Sequence, residues 1–168
     1  MGRFQPHFAA VIHYLSTLSH LSYTGIFIAI LLSGHVIPLP ESIELILLGY
    51  LSAAGDFVLW KICIVAMLST ATYDIAVYLI ARGGSELAER MSKKVKPALL
   101  ERYRNAEERH LLALTFVSHF VPGWRFANPI ILGITQVSLT RFLLYTLIAV
   151  ALYAPILVLI GYFFLGHV

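Results

Sequence analysis

Four ionisable side chains, Glu41, Glu44, Asp74 and Arg125, are set in sequence that is otherwise apolar over long distances. A charge at bilayer depth costs about 2.5–3.5 kcal/mol on insertion scales, so groups of this kind point to anion binding or proton exchange. Glu41 and Glu44 stand three apart, on one face if helical. Glu41 directly follows Pro38-Leu39-Pro40, where an opening helix would favour an anion. Arg125 closes the run Ser118-His119-Phe120-Val121-Pro122-Gly123-Trp124-Arg125, with no Asp, Glu, Lys or Arg between Leu111 and Trp124 or between Phe126 and Thr140. Asn128 and Pro129 suit the N-cap and first turn of a helix beginning just after it. The free N–H groups and positive dipole end of such a helix would join Arg125 in holding a phosphate or carboxylate. Asp74, with Tyr78 one turn later and Arg82 two turns later, makes a polar stripe that reads equally as a structural inter-helix hydrogen bond or a proton relay. The plainer alternatives are a snorkelling interfacial arginine for Arg125 and helix capping for Glu41.

His35 and His119 flank the two proline breaks, but no H-E-x-x-H spacing ties them into a metal site. His119 reads instead as a titrating helper of Arg125. No metal or cofactor is expected. The single cysteine, Cys63, excludes an intrachain disulfide and a cysteine metal site, and suits a small apolar helix position.

The elements that must position these groups follow from composition. With 59% hydrophobic and 12% charged residues, the chain lies far from the soluble average of about half apolar and a quarter charged. A chain of 168 residues fits one membrane domain, 1–168. From Phe4 to Pro40 a run of 37 residues carries no Asp, Glu, Lys or Arg, more than one span of roughly 20 residues uses. Residues 1–20 read as an interfacial or spanning helix without a cleavable leader. Residues 21–54 form a re-entrant hairpin broken at Pro38 and Pro40, its second arm, from Glu41 to about Ala54, too short at ~21 Å to cross. Residues 57–81 are a transmembrane helix with Trp60 and Lys61 at an interface.

Residues 82–110 hold eight of the twelve Lys/Arg, with Glu86–Arg90 and Glu89–Lys93 as i,i+4 pairs. This is an amphipathic helical segment, cytoplasmic by the positive-inside rule, which accounts for the basic balance without nucleic acid. Residues 111–136 form a second re-entrant hairpin broken at Pro122-Gly123, and 139–165 a second transmembrane helix interrupted by Pro155. The expected fold class is therefore an all-α membrane protein, an inverted repeat of re-entrant hairpin plus transmembrane helix around the basic segment. A full crossing by 111–136 competes: re-entry places nine of the twelve Lys/Arg in the cytoplasm and crossing eight, which does not decide.

Pro38-Leu39-Pro40-Glu41 leading to Leu48-Gly49-Tyr50-Leu51, then Asp74-x-x-x-Tyr78-x-x-Ala81-Arg82, Phe120-Val121-Pro122-Gly123-Trp124-Arg125 and Gly161-Tyr162 together resemble the DedA family over about residues 21–166. The resemblance implies two re-entrant loops facing each other, lipid movement between leaflets, notably recycling of undecaprenyl phosphate, and dependence on the proton gradient. By position it makes Glu41 and Asp74 the essential acids and Arg82 and Arg125 the essential cations. The sequence departs from the family at His119, where an arginine is common, at Tyr73 and Ala81, where glycines are usual, and around Ser33 and Gly34, which lack an acid.

The leading expectation is a multi-pass flippase of the bacterial cytoplasmic membrane, not an enzyme. An isoprenoid phosphate would be bound by Arg125, Asn128, His119 and Arg82, and protons exchanged by Glu41, Glu44 and Asp74. The alternatives are a passive phospholipid scramblase, an intramembrane lipid-phosphate enzyme built on Ser118, His119 and Arg125, and a membrane assembly factor. Expected partners are membrane lipids and protons, with a homo-oligomer left open.

Overall fold

A computed structural model describes residues 17, 20–32, 40–84, 89–90, 93, 97–104, 108–121 and 124–165. Most of the helix expected over 1–20, His35, Glu86, and the breaks at Pro38-Leu39 and Pro122-Gly123 lie outside the described residues. Among the described residues the chain is helical, without strands. In order come α1 (Tyr23–Leu32), α2 (Glu41–Ala54), α3 (Leu59–Arg82), α4 (Pro97–Arg104), α5 (Glu108–Phe120), α6 (Trp124–Ile134) and α7 (Leu139–Ile160). The last runs on into a π-helical turn, Gly161–Leu165. Leu59–Arg82 and Leu139–Leu165, 24 and 27 residues long, are long and apolar enough to cross a bilayer, which takes roughly 20 residues. Their exposed side chains include Leu68, Leu144, Leu147 and Leu152, an exterior suited to hydrocarbon. Pro155 lies inside α7 without interrupting it.

Residues 1–69 and 154–168 make one compact unit and 70–153 another. In the first, Ser22 Oγ accepts the Gly25 N–H at 3.2 Å and so opens α1 as an N-cap. Pro40, extended and lacking a donor, precedes α2, whose first turn carries Glu41 and Glu44. Gly55 ends α2 at φ 96, a left-handed conformation that spares glycine the Cβ clash, and its N–H returns to Ser52 O at 3.3 Å. Ser69 on α3 donates its hydroxyl to Phe27 O of α1 at 2.7 Å. Val58 N–H donates to Tyr23 Oη at 3.2 Å, and Lys61 Nζ sits 5.6 Å from the Tyr23 ring centre. Two glycines set the approach of α2 to the end of the chain. A Cβ on Gly49 would overlap the Val158 carbonyl, and one on Gly161 the Ile46 carbonyl. Small residues of this kind let helix backbones meet where lipid supplies no hydrophobic driving force.

The second unit is built on Tyr78, Tyr103, Leu111, Ile131, Leu132, Phe142 and Tyr145, with the Tyr78 and Phe142 rings stacked 4.0 Å apart. Tyr103 places part of the basic amphipathic segment in this core. The Glu89–Lys93 pair does lie at the surface, 2.9 Å apart. After α6 the chain turns through Gln136 at φ 57, where Val137 N–H reaches back to Leu132 O at 3.1 Å. Val137 O is held by Tyr78 Oη at 2.5 Å and by Arg82 Nη1 at 2.7 Å, and Arg82 also donates to the Tyr78 hydroxyl. Tyr78→Phe keeps the stacked ring and deletes this hydroxyl, so a loss of about 0.5–1.5 kcal/mol is expected, read as a lower unfolding midpoint in detergent.

Candidate functional site

Three helices of the second unit carry the site, with Tyr153 of α7 against it. On α5, Thr115, Ser118 and His119 share one face because residues three and four apart are helical neighbours. All three are buried, as is Asp74 on α3. His119 Nδ1 lies 2.8 Å from Thr115 O, and Nε2 lies 3.1 Å from Asp74 Oδ2. A carbonyl only accepts, so Nδ1 carries a hydrogen and donates to Thr115 O. Two oxygen or nitrogen lone pairs do not hold each other at hydrogen-bond distance. A second hydrogen therefore sits in the Nε2–Oδ2 contact, whether the pair is written imidazolium with carboxylate or imidazole with carboxylic acid. Asp74 Oδ1, also buried, has no hydrogen-bond partner among the described residues.

Arg125 is the second residue of α6, not a residue preceding it. The sequence reading placed the helix start at Asn128 and Pro129, but α6 opens three residues after the Val121 bend, with Trp124 N–H donated to Val121 O at 3.1 Å. Pro129 consequently lies inside the helix and supplies no N–H to the Arg125 carbonyl four residues back. The pattern of N-cap and N1 preferences was locally sound, but burial of Arg125 and of Asn128 through Gly133 favoured helix from Trp124 onward.

The Arg125 guanidinium, only 5% exposed, lies 5.9 Å from the Tyr73 ring centre and 5.8 Å from those of Phe126 and Tyr153. Ring faces attract a cation by about 2 kcal/mol where water is excluded, which helps keep the buried charge in place. Its place in the first turn also puts it at the positive end of the helix dipole, where an anion is favoured. Asn128, one turn along, accepts from Tyr103 Oη at 2.9 Å and from Thr115 Oγ1 at 3.5 Å through Oδ1. That fixes the amide with its two N–H groups facing the other way.

Tyr153 touches both halves of the constellation. Its ring is 5.4 Å from that of His119 and, as above, against Arg125. Asp74, His119, Arg125 and Asn128 thus belong to one set of packed side chains. Arg82 does not join Asp74. It lies two turns along α3, about 12 Å of rise, fixing the turn after α6. Glu41 and Glu44 belong to the first unit, buried in the first turn of α2. His119 is seated on Asp74, whereas its spacing suggested service to Arg125.

Sequence reasoning gave no site role to Tyr73, Tyr103, Thr115, Phe126 or Tyr153. A usable signal existed for Thr115, one turn before His119 on the same face. None existed for the tyrosines, whose roles depend on partners far along the chain. Ser118 Oγ donates to Thr115 O at 2.6 Å, and both His119 nitrogens are engaged elsewhere, so Ser118 and His119 do not form a nucleophile–base pair.

The sequence model of the VTT domain matches residues 37–163. An uncharacterised membrane protein of Synechocystis is 30% identical over 162 residues, covering 92% of this chain and 73% of its own. No solved structure matches.

Proposed function

This chain belongs to the VTT-domain, or DedA, family of membrane proteins, and on that premise we propose that it is a flippase moving an isoprenoid phosphate such as undecaprenyl phosphate between leaflets of the bacterial cytoplasmic membrane. The observation that carries the reading is Arg125: a buried guanidinium in the first turn of α6, surrounded by aromatic rings and set in an apolar stretch. A phosphate headgroup matches the paired donors of arginine and the amide end of a helix. An isoprenoid tail matches apolar and aromatic surroundings. Asn128, whose amide N–H groups face away from Tyr103, is a second headgroup donor. Arg82 and His119, expected from sequence to touch substrate, act through other groups: Arg82 positions the turn after α6 and His119 acts with Asp74.

Helices α5 and α6, 13 and 11 residues, rise about 20 and 16 Å, less than a hydrocarbon core of ~30 Å. That length supports reading 111–136 as a re-entrant arm pair, and on the same reading 21–54 is the corresponding hairpin and the basic segment faces the cytoplasm. Proton coupling, through Asp74 with Glu41 and Glu44, is favoured over passive scrambling by the buried carboxylate–imidazole contact, which a passive path does not need. A hydrolytic enzyme is disfavoured by the Ser118 geometry.

Purified protein in liposomes carrying leaflet-resolved, labelled isoprenoid phosphate tests the reading. The labelled lipid is expected to appear chemically unchanged in the opposite leaflet, faster with an imposed proton gradient. Recovery of dephosphorylated lipid would make the protein an enzyme, equal movement of ordinary phospholipid a scramblase, and no movement an assembly factor.

A further inference from the structure

We propose that Asp74 and His119 together hold one shared proton that the transport cycle moves, and that it leaves only when the contact of α3 with α5 opens. The functional half of this statement rests on the transport reading above. Its chemical half stands on geometry alone.

Thr115 O, 2.8 Å from Nδ1, pins one imidazole hydrogen and so fixes which nitrogen faces Asp74. Nε2 and Oδ2, 3.1 Å apart, then share one further proton. Removing that proton to water leaves a carboxylate facing an imidazole lone pair, a repulsive arrangement in a site where both side chains are buried. Adding a second proton charges the pair positively in the same dry setting. The emptied pair has no hydrogen left in the contact, so loss of the proton and separation of α5 from α3 at this point are one event. The proton balance is simple: H+ passes from the Nε2–Oδ2 contact to water on one side, and the emptied pair takes H+ from water on the other.

The charged and titratable groups that the described contacts set around the pair are few. Tyr153 of α7 packs on the His119 ring, Tyr73 adjoins Asp74 along α3, and Arg125 of α6 lies against both tyrosine rings. A guanidinium at position 119 would always be protonated, and its ion pair with Asp74 would have no proton to release. His119 gives this chain a releasable one.

Magnetic resonance of the intact protein in lipid nanodiscs tests the pair without any transport measurement. The chain holds two aspartates, Asp56 and Asp74, so 13C-carboxyl aspartate gives two assignable signals. With 15N-histidine, the His119 resonances are those missing from His119→Gln. In wild type, Nδ1 is expected to stay protonated across the titration, while Nε2 and the Asp74 carboxyl change together in one step. In Asp74→Asn the amide N–H donates to Nε2, and the titration of Nε2 should vanish. An Nε2 that titrates alike in wild type and Asp74→Asn overturns the shared proton.

The second arm is the ratio of isoprenoid phosphate movement with and without an imposed proton gradient. For His119→Arg that ratio should fall to about one, whatever the basal rate. A ratio kept at the wild-type value overturns the coupling role while sparing the transport reading. If wild type moves no lipid, the transport reading and the coupling role fall together, and the resonance experiment still decides whether the pair shares a proton.

Discussion

Replacing Arg125 by alanine is expected to weaken binding of an isoprenoid phosphate by about ten- to hundredfold, while binding of the matching unphosphorylated alcohol stays at its wild-type value. The estimate follows from a charge-assisted hydrogen bond worth about 1.5–3 kcal/mol, at 1.4 kcal/mol per tenfold in affinity. Arg125→Lys should fall between wild type and alanine. Lysine keeps the positive charge but loses the planar fork that meets two phosphate oxygens at once, and it packs less well on the Tyr73, Phe126 and Tyr153 rings. Stability must be followed in the same preparations, because removal of the cation also removes three ring contacts from a buried place. The measurement is equilibrium binding of the two lipids to monodisperse protein, with the unfolding midpoint recorded alongside. An alanine variant that stays folded and binds both lipids as wild type does makes Arg125 a structural cation, and the substrate assignment loses its support.

The second large effect concerns stability in the first unit. Gly161→Ala would drive a methyl group into the Ile46 carbonyl, and Gly49→Ala would place one on Val158 O with Tyr162 N only 2.9 Å away. These obstacles are backbone atoms, which cannot swing aside as a side-chain end can. Each substitution must therefore push α2 off the end of α7 and its π turn. Overpacking of this kind costs about 1–3 kcal/mol, a large part of the roughly 5–15 kcal/mol that holds an ordinary domain together. Both changes act on the same crossing, so the double variant should lose less than the sum of the two. Gly83→Ala is the internal control. A Cβ there meets its nearest atom, Leu79 O, at 3.4 Å, an ordinary contact, and the midpoint should not move. Equal midpoints for Gly161→Ala and Gly83→Ala in thermal unfolding would show that α2 and the chain end do not meet as closely as described.

These two experiments also separate what local chemistry writes into the chain from what it does not. Membrane character was plain from composition and from the length of the uncharged runs, because hydrocarbon depth sets a residue count that any sequence can be measured against. The ends of α2 were equally legible. Proline at 40 removes a donor and glycine at 55 takes a left-handed φ, and each acts within one turn of its own position. The value of Arg125, Asp74, Glu41 and Glu44 as residues to examine came from the same source, since ionisable groups in apolar sequence are exceptional wherever they point.

Other features had no local signature. Asp74 and His119 are 45 positions apart, and their contact depends on how α3 and α5 are rotated about their own axes. The helical period shows which residues share a face and leaves open which face of another helix it will meet. Tyr103, inside the basic segment, bonds to Asn128 25 positions later for the same reason. The start of α6 at Trp124 went against capping preferences of about 1 kcal/mol, because burying Arg125 and Asn128 through Gly133 outweighs them. Sequence alone therefore determined that this is a membrane protein with ionisable groups set in apolar sequence, and where helices such as α2 start and stop. Tertiary structure decided which charge meets which partner, because pairing depends on helix rotation and packing across separations that no local rule spans.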